Sequence, residues 1–374
     1  MGRRAELELG VPLENSSLQV VCAVYAAEVL LSLTEQLNSR QNLSAEQIAV
    51  AIKDLTGEGA SAEVKADFLT ALARKGETVE EIAAFAHGIR ELSLAVPLDP
   101  ATRAGEILDV CGTGGDRLNT FNISTTVAIL AAAAGVTMAK HGNRAITSKS
   151  GSADVLEALG IPVDNTPEQA AALLREHQFA FFLAPRFHPA FKHIGPARKL
   201  CAERGQRTIF NFIGPLMNPV RPTAQLVGVP NPALTEPMAR VLQGLGIRRG
   251  MVLCGRVETA MLDELSTMGD NHVAEFYQDR GFHTSVWQAE FLPLQKATLA
   301  DLEGGDAQVN SVIVRQVLCG QERGPKRDAV LLNAAAALHV AGKVKTLIEG
   351  WDLAGETIDS GKAAAKLKDL AHRH

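Results

Sequence analysis

The stretch from Asp109 to Thr125, DVCGTGGDRLNTFNIST, closes an apolar run with Gly-Thr-Gly-Gly-Asp and then opens an Ala-rich segment with Ser and Thr. Glycines at Gly112, Gly114 and Gly115 let successive backbone N–H groups converge on one point. Ser124 and Thr125 add hydroxyls at a helix N-terminus, where the dipole favours an anion. A phosphate is therefore the expected ligand. Asp116 suits a hydroxyl or a metal ion better than a phosphate, and a ribose bearing a pyrophosphate meets both demands. The run matches neither the P-loop nor the dinucleotide-binding pattern of glycines.

Around this stretch the chain alternates short apolar runs with helical patterns. EILDVCG, GVTMAKHG, FAFFLAP, AQLVGVP and GMVLCG read as buried strands, with helices such as STTVAILAAAAG and SADVLEALG between them. This alternation predicts an α/β domain with a mostly parallel central sheet, whose ligand loops lie at the carboxyl ends of the strands. Upstream, from about Ser17 to Leu94, apolar residues recur at helical spacing, with Asn or Ser opening NLSAEQIAVAIKDL and Thr78 capping the helix in GETVEEIAAFAHGIREL. A Pro-bearing connection, Ala95 to Glu106, separates the two regions. The expected division is a helical extension over 1–40, a small all-helical domain over 41–98 to which later helices can add, and a larger α/β domain over 99–374.

Two more strand-end loops carry chemistry. KHGNRAITSKSGSADVLEALG sets Lys140, Asn143 and Lys149 beside a second Gly-Ser turn, with Ser150 or Ser152 expected to cap the next helix. After GMVLCG, the sequence LDELS supplies adjacent carboxylates at Asp263 and Glu264. On a loop at the end of a strand, such a pair suits Mg²⁺, which takes one or two carboxylates and completes its shell with water and substrate phosphate.

Composition narrows the class further. With 374 residues and 46% hydrophobic content the chain can bury a large core, and its net charge of −5 argues against nucleic-acid binding as its main business. Cys22, Cys111, Cys201, Cys254 and Cys319 are widely spaced and odd in number, with no Cys-x-x-Cys pair. They read as buried small hydrophobes in a reducing, cytoplasmic setting, not as a disulfide framework or a zinc site. Glu28 interrupts Leu18 to Leu33, which reads as a packed helix and not as a signal peptide or membrane span. His188 and His193 in HPAFKH are five apart, off the zinc spacing of i, i+4, so His193 is expected to be structural or at the surface.

Taken in order, GTGGD, FNIST, KHGNR, SGSADVLEALG, HPAFKH, RTIFNFIGPLMNP, LDE and GPKRDAVLLNAAAALHVAGK resemble the anthranilate phosphoribosyltransferase family of the tryptophan branch, over roughly Ala45 to Leu370. The resemblance implies that Gly112, Thr113, Gly114, Gly115 and Asp116 bind phosphoribosyl pyrophosphate together with Thr120, Asn122, Ser124, Thr125, Lys140 and Ser152. It implies Mg²⁺ at Ser124, Asp263 and Glu264, and anthranilate at Gly112, His141, Asn143, His188, Arg198, Gly214 and Pro215, with Arg198 pairing with the carboxylate. It also implies a homodimer formed through the helical domain. Lys199 to Gln206 is longer than the usual family spacing by about three residues, close to one helical turn.

The expected chemistry is displacement of pyrophosphate from C1 of a ribose through an oxocarbenium-like state, which demands neutralisation of the leaving anion and in-line placement of the amine. An arylamine is already neutral at pH 7, so no general base is called for. Two other classes fit the same motifs: a same-fold phosphoribosyltransferase or nucleoside phosphorylase with another acceptor, and a non-catalytic nucleic-acid-binding relative. The Asp263–Glu264 pair favours a pyrophosphate donor over free phosphate, and the acidic balance counts against nucleic acid.

Overall fold

A computed structural model describes residues 15–145, 149–278 and 280–371. Of the expected extension, residues 1–14 lie outside the described residues, as does the side chain of Cys22. The chain divides into two compact units. One comprises residues up to Ile89 together with Ala190–Asn211, and the other comprises Arg90–Pro189 and everything from Phe212.

The first unit is helical, with helices Asn15–Asn38, Ala45–Thr56, Ala62–Lys75, Val79–Glu91 and Gly195–Glu203. Leu30, Leu37, Ile48, Phe68 and Phe85 sit at helical spacing on the inward faces and are fully buried. Ser44 caps its helix in a reciprocal box with Gln47, and Thr78 and Glu81 exchange the same pair of bonds. The buried Glu81 also accepts from the Leu43 N–H at 2.8 Å and from Lys75 Nζ at 2.6 Å, which fixes the helix connections. The segment Ala190–Asn211, which the sequence pattern assigns to 99–374, belongs to this unit.

The second unit is built on one sheet of eight strands among the described residues, in the order β3-β2-β1-β4-β5-β7-β8, with β6 also paired to β5. The strands are β1 (Ile107–Gly112), β2 (Thr137–Gly142), β3 (Phe179–Leu183), β4 (Ala224–Gly228), β5 (Arg249–Val257), β6 (Ala260–Leu262), β7 (Asn271–Tyr277) and β8 (Gly281–Trp287). β1 to β5 pair in parallel, as the alternation of runs predicts. Their side chains serve two cores by turns: Leu108, Val110, Phe179 and Phe181 face one, and Ile107, Ala180 and Phe182 face the other. The helices Ile123–Ala133 and Pro325–Val340 cover the first face.

β6, β7 and β8 pair antiparallel. Sequence reading did not resolve them, because β8 is mostly exposed and lacks the apolar run that marks a buried strand. Cys111, Cys201 and Cys254 are buried as expected, whereas Cys319 is exposed. Among the described residues no helix is long and apolar enough to cross a membrane.

Candidate active site

Three strands end in glycine at one edge of the sheet, and the loops that follow converge there. Gly112 and Gly228 are partners across β1 and β4. A Cβ on Gly112 would lie 2.2 Å from Asp263 Oδ2, and one on Gly228 only 1.5 Å from the Asp263 carbonyl oxygen. The two glycines therefore clear the place that Asp263 occupies. The carboxylate loop does not follow β5 directly, as LDELS after GMVLCG had suggested. The chain first turns back through β6, and this hairpin delivers Asp263 and Glu264 to the ends of β1 and β4.

At that position the acidic pair meets the glycine-rich loop and the start of the helix Ile123–Ala133. The Gly114 N–H donates to Asp263 Oδ2 at 2.8 Å, and the Ser124 N–H, in the first turn of the helix Ile123–Ala133, donates to Glu264 Oε1 at 3.2 Å. Gly114 and Gly115 have φ of +74° and +95°, a left-handed conformation that glycine adopts without strain. Partial burial at the strand ends and the nearby charge of Asp116 hold the Asp263 carboxyl above the usual carboxylate range. Burial and Asp263 together raise Glu264 as well. Like charges crowded in this way are stabilised by a cation between them.

Lys140 supplies a fixed positive charge. It is buried at the end of β2, with Nζ donating to the Val110 carbonyl at 2.7 Å and lying 3.5 Å from Ser124 Oγ. Thr125 is buried behind Ser124, and its hydroxyl has no partner among the described residues. Asn122 accepts from Asn310 Nδ2 at 2.8 Å. Thr120 is bridged to Glu303, and the adjacent Phe121 N–H donates to the Leu302 carbonyl, so a distant segment braces the loop. Asp116 accepts from the Leu118 N–H, and Thr113 donates its N–H to the Gly228 carbonyl.

The second Gly-Ser loop differs in detail from its sequence reading. Gly151, not Ser150 or Ser152, is the N-cap of the helix Ser152–Ala158, and Asp154 folds back to accept the Gly151 and Ala145 N–H groups. Ser152 Oγ donates to the Asn143 carbonyl at 3.2 Å, which ties the two ends of the loop together. Lys149 is exposed and lies 3.7 Å from Glu303.

A second group lies beside the first in the same unit. His141 follows Lys140 on β2 and is buried, with Nδ1 3.2 Å from the Gly214 carbonyl. A carbonyl only accepts, so Nδ1 carries the proton and Nε2 keeps a lone pair, which has no partner among the described residues. Burial, with the nearby His188 ring, pushes His141 down to about 3. Burial likewise takes His188 down to about 4. The two rings meet edge to face at 5.5 Å. Gly214 and Pro215 open a 3₁₀ turn, Gly214–Met217, beside them. Asn143 is exposed, its Oδ1 accepting from the Arg144 N–H.

Arg198 belongs to the helical unit. It lies in the helix Gly195–Glu203 with its guanidinium over the Phe210 ring at 5.5 Å, and burial lowers its pKa. That helix stops at Glu203, and Gly205 turns the chain at φ +65° within the lengthened segment. His193 is half-buried there, 3.9 Å from Glu58.

Family models match both parts of the chain: the a/b domain of a glycosyl transferase family over residues 104–364 and its helical bundle domain over 31–93. Anthranilate phosphoribosyltransferase of Petrotoga mobilis is 44% identical over 88% of this chain and 92% of its own length. That of Caulobacter vibrioides is 48% identical over 84% of this chain and 88% of its own. The chain belongs to the anthranilate phosphoribosyltransferase family. A crystal structure of anthranilate phosphoribosyltransferase from Thermus thermophilus is similar to it with a TM-score of 0.81 at 39% identity, covering 91% of this chain and 98% of the other. The Saccharomyces cerevisiae anthranilate phosphoribosyltransferase in complex with PRPP and Mg gives a TM-score of 0.80 at 28% identity, over 92% of this chain and 97% of the other. The yeast enzyme has also been solved with 4-fluoroanthranilate.

Some residues that shape the site escaped the sequence reading. Asp109, Asn218, Gln225 and Asn310 are buried polar side chains that reach the loops from beneath. Asp109 was in plain view as the one charge inside an apolar strand run, a signal that sequence alone offers. The other three are amides without a local pattern.

Proposed function

We propose that this chain transfers the 5-phosphoribosyl group from phosphoribosyl pyrophosphate to the amine of anthranilate, releasing pyrophosphate, as a step of tryptophan biosynthesis. One observation carries the reading: two carboxylates, Asp263 and Glu264, meet backbone N–H groups of two anion-binding loops at 2.8 and 3.2 Å, beside the buried ammonium of Lys140. Acid and anion cradle together suit a phosphorylated ligand that arrives with a divalent cation. Hard oxygen donors gathered at one point, raised by desolvation and then by neighbouring carboxylate charge, fit magnesium, which Asp263, Glu264 and Ser124 would hold. When bound, that ion supplies charge neutralisation for the pyrophosphate.

In this reading the chain's own groups divide the work. The loop Gly112–Asp116, with Thr120, Asn122, Thr125 and Ser152, binds the phosphoribosyl pyrophosphate, and Lys140 holds a positive charge where the leaving group gathers negative charge. The C1–oxygen bond to pyrophosphate breaks as the C1–nitrogen bond forms. Arg198 pairs with the carboxylate, and the Gly214-Pro215 turn, His141, His188, Asn143 and Gly112 line the acceptor site. Burial keeps His141 neutral, so it serves as a wall of the site and not as a proton acceptor. The ammonium formed on nitrogen is acidic enough to shed its proton to water.

The assembly proposed is a homodimer formed through the helical unit, on which Leu31 and Val50 are exposed. Product analysis tests the reaction: mass spectrometry of the reaction mixture should show phosphoribosyl-anthranilate with one pyrophosphate per turnover. Pyrophosphate release without that adduct would reject anthranilate as the acceptor.

A further inference from the structure

The ladder between β1 and β2 pairs Ile107 with Thr137 and Leu108 with Met138. Beyond that point side chains fill the gap. Asp109, fully buried, accepts the His141 N–H on Oδ1 at 3.2 Å. Its Oδ2 accepts from Asn218 Nδ2 at 3.0 Å and lies 3.4 Å from Gln225 Nε2. The Asn218 amide donates its second hydrogen to the Ala139 carbonyl at 2.8 Å, and its oxygen accepts the Val220 N–H at 3.0 Å. Gln225 stands opposite Asp109 across β1 and β4 and donates to the Pro215 carbonyl at 2.5 Å.

These contacts close a ring. From Asp109 one branch runs through the His141 backbone and imidazole to the Gly214 carbonyl. The other runs through Gln225 to the Pro215 carbonyl. Both carbonyls of the Gly214-Pro215 turn are therefore held by groups that a single carboxylate fixes. A buried carboxylate is costly, and burial pushes this one up to about 6. Apolar residues of similar volume would pack a sheet interior at least as well. What they would not do is fix the register of a turn and the tautomer of an imidazole together.

We propose that Asp109, Asn218 and Gln225 are positioning residues for the acceptor: they set the Gly214-Pro215 turn and the His141 ring, touching no substrate themselves. The inference rests on the assignment of anthranilate as acceptor. It places acceptor recognition under the control of a carboxylate beneath the sheet edge. The same carboxylate also lies close enough to Lys140 to feel its charge, whereas the loop Asn119–Asn122 has separate braces at Asn310 and Leu302–Gly304.

Steady-state kinetics of Gln225→Met and Asp109→Asn beside the wild type test it. Met fills the strand without a donor. Asn keeps the shape of Asp but turns an amide against donors that need an acceptor. Each variant should raise the KM for anthranilate about tenfold, the scale of one misplaced buried hydrogen bond. In Gln225→Met, which keeps the Asp109 charge near Lys140, the KM for phosphoribosyl pyrophosphate should stay unchanged to within about twofold; in Asp109→Asn it should rise less than that for anthranilate. A merely structural role would lower the active fraction and leave both KM values alone. Unchanged KM for anthranilate, or equal rises for both substrates, in a wild type that consumes anthranilate would overturn this inference only. A wild type that does not consume anthranilate would overturn the acceptor assignment and this inference together. Should either substitution prevent folding, the KM values of the other variant decide between these outcomes.

Discussion

The Gly114 N–H donates to Asp263 Oδ2 at 2.8 Å and so joins residues 149 positions apart in sequence. This bond holds an acidic loop against a glycine-rich one, and the proposed metal and donor sites depend on that meeting.

Removing the charges while keeping the shape isolates their role. The double substitution Asp263→Asn with Glu264→Gln should lower Mg²⁺-dependent turnover by at least about a hundredfold. The circular dichroism spectrum should be unchanged, because both groups are only partly buried and bond to loop N–H groups that an amide oxygen also serves. Full activity in the variant would remove the metal assignment.

Crowding at the strand ends offers a second test. Gly228→Ala places a methyl where the Asp263 backbone lies, 1.5 Å from its carbonyl oxygen, and should destabilise the protein by about 1–3 kcal/mol while displacing the acidic loop. A lowered Tm together with a raised KM for phosphoribosyl pyrophosphate is expected. Wild-type values for both would show that the loop does not need this clearance.

Much of this arrangement was legible in sequence because its signals are local. The runs behind β1 to β5 declare themselves as buried strands, and GTGGD and FNIST carry the composition of an anion cradle in consecutive residues. What sequence could not convey is long-range. The hairpin of β5 and β6 decides where Asp263 and Glu264 arrive, yet β6 is three residues long and has no pattern of its own. Asp109 shows as a charge in an apolar run, but its partners Asn218 and Gln225 come from elements more than a hundred positions away. The cap at Gly151 was misread for a local reason: neither serine side chain caps the helix, and Asp154, three residues on, reaches back to accept the Gly151 N–H instead.

Arg198 tests the acceptor side. Arg198→Ala should raise the KM for anthranilate about tenfold or more, with less effect on phosphoribosyl pyrophosphate, if its charge meets the substrate carboxylate. Equal losses for both substrates would make Arg198 a packing residue held on Phe210.

His188 predicts a pH signature. Burial lowers it to about 4 in the folded protein, against about 6.5 for an ordinary histidine. Below pH 6.5 the unfolded chain takes up a proton that the folded chain refuses, so this group removes stability as pH falls toward 4 and has no effect above 6.5. The Tm of His188→Gln relative to wild type should therefore rise as pH is lowered from 6.5 to 4. A constant difference across that window would mean that His188 titrates normally.

Mixing the purified protein with anthranilate, phosphoribosyl pyrophosphate and Mg²⁺ and following anthranilate fluorescence tests the transfer reaction itself. The fluorescence should fall only when both the donor and the metal are present. Fluorescence that stays constant in the complete mixture, or falls equally without donor, would contradict that reaction.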